Sequence, residues 1–117
     1  MSEETIVSGE QRRSILNPFE KIALTKTKLI LGNEVFLLKD IAEVFNDFNS
    51  LTGNSKLGFR LKNGRMIKGI VIRTAGDYLV GVGIVHLAKM RRKTTDEWVD
   101  AINSSIYNQN QTSDSVK

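Results

Sequence analysis

Cysteine is absent from this 117-residue chain, and histidine, tryptophan and proline each occur once. Without thiols there is no disulfide framework, no thiolate chemistry and no zinc ribbon, and the absence fits a reducing compartment. The single His86 lies between Val85 and Leu87 in an apolar run, with no second histidine or cysteine to complete a catalytic or zinc set. Nine glycines form neither a G-x-G-x-x-G nor a phosphate-loop pattern. These gaps leave no catalytic, metal-binding or cofactor-binding residue to nominate. The sequence points away from an enzyme, and no cofactor is expected.

Long apolar runs are missing too. The longest nearly unbroken one, "YLVGVGIVHLA" at residues 78–88, is about half the ~20 residues a bilayer-crossing helix needs. The start, "MSEETIVSGEQRR", is acidic and polar and lacks the charged and apolar halves of a secretory signal. A cytoplasmic protein, peripheral to a membrane if it meets one, is the expectation.

What the chain does hold fits one domain with a core of its own, since 40% of its residues are hydrophobic and its length is near the common domain size. Residues 1–11 and 108–117 are polar without apolar periodicity and are expected to be disordered tails around a domain at 12–107. "RRSIL" reads as an opening strand, and "NPFE" turns the chain, because proline cannot donate to a strand ladder. "KIALTKTKLILGN" reads as a hairpin ending at Gly32-Asn33. A strand over 34–38, a bend at Lys39-Asp40 and an alternating segment through Ile41, Glu43 and Phe45 follow.

"KLGFRLKNGRMIKGIVI", residues 56–72, reads as a second hairpin around Asn63-Gly64. A two-residue turn would set Leu61 opposite Met66, Arg60 opposite Ile67 and Lys62 opposite Arg65. Phe59, Leu61, Met66, Ile70 and Ile72 then share the core face, with Lys68 near its edge, and Arg60, Lys62, Arg65 and Arg73 share the outer one with Ile67 and Val71. Residues 78–88 carry Gly81 and Gly83 among β-branched residues and are read as a strand. In "TTDEWVDAINSSI", Thr94 and Glu97 have capping-box spacing, and Trp98, Ala101, Ile102 and Ile106 form one apolar stripe of a helix. Phe36, Phe45, Phe59, Met66 and Trp98 are the expected large core side chains.

Net charge is +4, modest for a dedicated nucleic-acid binder. Its layout is uneven, with Glu34, Asp40, Glu43 and Asp47 against Lys39 in 34–47, and no acid at all in 56–73. The basic hairpin and "KMRRK" at 89–93 are the candidate contact surfaces for an acidic partner.

"ALTKTKLIL", "VFLLKDIAEV", "KLGFRLKNGR" and the Trp98 helix "DEWVDAI" together resemble the pleckstrin-homology-like superfamily, especially GRAM and bacterial PH domains, over about residues 20–106. The resemblance implies a mainly β (α+β) fold, a strongly bent antiparallel sheet barrel capped by a C-terminal helix that plugs one end with Trp98. It implies a non-catalytic binding or adaptor module that engages a protein partner or, weakly, an anionic lipid surface. By position Lys26 and Lys28 match the family's early-strand cations, and Arg60, Lys62, Arg65 and Arg73 complete the candidate set. A dense basic motif is missing from the early hairpin, which favours a protein partner. "LKNGRMIKGIVIRTAGDYLV" also resembles the first motif of Sm-like RNA-binding proteins through the spacing of Gly64 and Gly69 and through Asp77, so RNA is the alternative, ranked second. Self-association through a strand edge or through 78–88 is a third expectation.

Overall fold

The structure is a computed structural model that describes residues 4–14, 16–74 and 83–116. Its strands are β1 (Thr5–Arg12), β2 (Glu20–Thr25), β3 (Lys28–Leu31), β4 (Glu34–Leu37), β5 (Ile41–Asn46), β6 (Leu57–Leu61) and β7 (Met66–Ile72), and one helix, α1 (Ile84–Val116), closes the chain. All pairings are antiparallel, in the order β4-β3-β2-β1-β7-β6-β5. β1 pairs with β2 along most of its length but with β7 only through Gln11↔Ile72 and Arg12↔Val71. That narrow seam lets the sheet bend into two facing halves, the expected mainly β, helix-capped architecture.

Each half supplies one wall of the core. Ile22, Leu24, Leu29 and Phe36 come from β2–β4, and Phe59, Leu61, Ile67 and Ile70 come from β6 and β7. Phe36 and Phe59 meet edge to face, with ring centroids 5.0 Å apart, a favoured aromatic geometry. α1 lies against β5 and the 3-10 turn Leu38–Asp40 and reaches β6 and β7. Its buried stripe, Trp98, Ile102 and Ser105, joins the core at helical spacing. Trp98, 5% exposed, plugs the sheet as expected, and its ring lies against Gly9 of β1.

Several expectations are corrected. β1 begins at Thr5, so most of the presumed N-terminal tail is a central strand, and the opening strand precedes "RRSIL". β1 lacks a clean apolar alternation because Gly9, against the Trp98 ring, and the buried Gln11 take inward positions where apolar side chains would mark a strand. The helix begins at Ile84, ten residues before the capping-box threonine, and the Leu87 N–H donates to Gly83 O at 2.9 Å in its first turn. Ile84–Ala88 is therefore helix rather than strand, while 78–82 lie outside the described residues. "KMRRK" is within the helix rather than before it, and the helix continues to Val116 through the presumed C-terminal tail.

The second hairpin is shifted by one residue. Arg60 pairs with Met66 and Phe59 with Ile67, because the loop holds three residues, Lys62, Asn63 and Gly64, with Gly64 at φ +94°. The Gly64 N–H donates to Leu61 O, and Asn63 Oδ1 accepts from the Arg65 N–H, the turn-plus-bulge form of a three-residue loop. A second irregularity follows at once. Leu57 pairs with Ile70, so Lys68 and Gly69 together face Gly58, and Gly69 takes φ +81°. This bulge turns both Ile67 and Ile70 inward and Lys68 outward. Ile67 is thus core, and Met66, expected inside, is 47% exposed. Phe45 is also outside the core cluster: a shift between Ile41 and Glu43 in β5 puts Val44 inside and leaves Phe45 half-buried over Gly58.

Candidate functional site

The connections β1–β2, β3–β4 and β6–β7 bring their charged side chains to one end of the sheet. Arg13 Nη2 is 3.2 Å from Glu34 Oε1, and Arg65 Nη2 is 4.0 Å from Glu34 Oε2. One carboxylate at the start of β4 therefore receives arginines from two separate connections. Beside it, Arg12 and Arg73 both stack on the Phe19 ring, 4.3 and 4.8 Å from its centroid. Arg73 Nη1 also lies 3.4 Å from Glu10 Oε1. Planar guanidinium groups suit both kinds of contact.

Between these groups is a cavity of about 180 Å³, lined by Gln11, Arg12, Arg13, Glu20, Leu31 and Glu34 among others. Gln11 is 4% exposed, and its Oε1 has no hydrogen-bond partner. A buried amide oxygen left unpaired costs stability unless something supplies a donor. Gln11 belongs to the cavity's lining, its Oε1 shut off from solvent, and carboxylates and guanidinium groups stand around the mouth. Both signs of charge stand at this end of the sheet.

Only part of the expected site gathers here. Arg65 and Arg73 do, joined by Arg12, Arg13 and Phe19, which sequence reasoning left out. The Arg-Arg doublet immediately before the proline turn was the available signal; assigning it to a strand hid it. Lys26 and Lys28 stand at the far end of β2, where Thr25 Oγ1 accepts from the Thr27 and Lys28 N–H groups, and both are exposed. Lys62 is exposed in the β6–β7 loop, with its N–H donating to Asp40 O. Arg60 faces outward, 3.6 Å from Glu43 on β5.

Three of the four arginines and lysines expected to form a bare basic face are therefore paired with acids from other strands. The acid-free stretch 56–73 is acid-free in sequence only. Among the described residues no group of three histidine, cysteine, aspartate or glutamate side chains is placed to hold a metal, and His86 is exposed on the first turns of α1. No family model, no curated protein and no solved structure matches this chain.

Proposed function

We propose that the chain is a non-catalytic binding module of the pleckstrin-homology-like kind, and that it engages a protein partner at the end of the sheet where Arg13 and Arg65 converge on Glu34. That convergence, at the mouth of a cavity lined by Arg12, Arg13, Glu20 and Glu34, is the observation that carries the reading. Arginine and aromatic side chains are the residues enriched at protein interfaces. An anionic membrane surface is the weaker ligand, because Glu10, Glu34 and Glu43 stand among the same arginines. The Sm-like alternative has less support, since Gly64 and Gly69 are accounted for by a loop and a bulge of a helix-capped sheet, and Asp77 lies outside the described residues.

Site-specific photo-crosslinking tests this. A photoreactive residue at position 19 should trap a protein adduct in host extract, and one at position 26 should not. Arg13→Glu and Arg65→Glu should each abolish the adduct while the protein stays folded. Equal adducts at both positions, or adducts indifferent to both substitutions, would remove the proposed site.

A further inference from the structure

The exposed face of α1 carries an ordered run of charges, most of which make no ion pair among the described residues. Lys89, Arg92 and Lys93 are followed by Asp96, Glu97 and Asp100, all exposed. At 3.6 residues per turn these six fall within roughly 140° of the helix circumference, on the side away from Trp98 and Ile102. Spacings of three and four would allow pairs within the helix, such as Lys93 with Glu97. Yet Lys89, Lys93, Glu97 and Asp100 make no ion pair with any described residue; Arg92 instead stacks on Phe48 at 4.2 Å, and Asp96 accepts from Asn46 Nδ2 at 2.8 Å. A block of cations followed along the helix by a block of anions is self-complementary when two copies run antiparallel.

We propose that this face of α1 is a homodimer interface, in which two copies pack their helices antiparallel about a two-fold axis between residues 94 and 95. Cations of one copy then lie beside acids of the other: Lys93 next to the second copy's Glu97, Arg92 next to its Asp96 and Lys89 next to its Asp100, and each pair recurs by symmetry. The helix dipoles are also opposed. The same register brings the ends of the stripe together. Val85, 70% exposed, faces the second copy's Ser104, and that copy's Tyr107, 62% exposed, arrives next to it. There the groove between α1 and the β5–β6 loop, about 240 Å³ and lined by Phe48, Gly53, Val85 and Ala88, is open to receive an aromatic ring. Opposed charges set the register, and two tyrosines fill two grooves.

An interface with so much exposed charge is weak and sensitive to salt. Sedimentation equilibrium on the full chain should show the mass rising from 13.1 kDa towards twice that value as protein is raised to about 1 mM in about 50 mM salt, and falling back in about 0.5 M salt, where the Debye length is a few ångströms. Lys89→Glu/Arg92→Glu leaves one cation against five acids on the face, and Glu97→Lys/Asp100→Lys leaves one acid against five cations. Each variant alone should lose self-association by about tenfold or more, and an equimolar mixture should regain it as a heterodimer. Tyr107→Ala should weaken the parent dimer with its helix content unchanged. A parent that stays monomeric at 1 mM, or variants that dimerise alone as well as mixed, would overturn the proposal. So would a monomer that uses Lys89 and Arg92 to bind vesicles containing about a third anionic lipid, which would assign the face to a membrane instead.

Discussion

Gly58 and Phe45 fit closely at the edge of the core. A Cβ on Gly58 would sit 2.7 Å from the Phe45 ring on one side and 3.2 Å from Lys68 Cβ on the other. The ring covers the glycine where the β7 bulge widens the sheet, and a flat ring cannot bend away as a flexible chain would. Gly58→Ala should therefore destabilise by about 1–3 kcal/mol, read as a lower urea midpoint with an unchanged slope. Thr95 makes the opposite case. It is wholly buried on α1, and its Oγ1 has no hydrogen-bond partner. Thr95→Val keeps the shape and removes the orphaned hydroxyl, so stability should rise by about 1 kcal/mol, measured as a higher melting temperature. Neither effect could be read from sequence. The partners of Gly58 and Thr95, Phe45 and the closed sheet, lie far along the chain.

At the scale of elements, local signals worked where local physics decides. The β2–β3 hairpin, β4 and the Lys39-Asp40 bend stand close to their expected places, since turn residues and β-branched runs mark them. Trp98 and Ile102 fell on the buried stripe as helical spacing required. The start of α1 was missed because Thr94 and Glu97 carry a capping-box pattern in mid-helix, and because Gly81 and Gly83 gave 78–88 the look of a strand. The run Leu87–Lys93 is nevertheless rich in good helix formers, and that was the signal to weigh. The two assignments are easily separated by experiment. Lys89 is exposed, and a proline there would be harmless in a loop before a helix starting at Thr94. In a helix that starts at Ile84 it removes a backbone hydrogen bond and clashes with the preceding turn. Lys89→Pro should cost about 3 kcal/mol, visible in denaturation and in lost helical circular dichroism.

At the scale of the whole molecule, charge that is segregated along the chain becomes mixed in space. The acids Glu10, Glu34 and Glu43 come from β1, β4 and β5, and the sheet lays them beside Arg73, Arg13, Arg65 and Arg60. These pairs are at least a quarter exposed on every partner, so each adds at most about 1 kcal/mol to stability. Their larger consequence is for binding, because an approaching anionic surface meets an acid beside each of Arg13, Arg60, Arg65 and Arg73. Four unopposed cations would give roughly 4 kcal/mol at such a surface, near a millimolar constant; with the three acids in place the attraction is smaller still. Vesicles with about a third anionic lipid should therefore bind the parent only weakly in 0.1 M salt and not at all near 0.5 M. Replacing Glu10, Glu34 and Glu43 together with glutamine keeps the side-chain shapes and unmasks the arginines. Vesicle binding should then rise by about fivefold or more per exposed cation freed, and lose that gain again in high salt. If the triple variant binds no better than the parent, these acids do not govern the surface, and the preference for a protein partner over a membrane would need another physical cause.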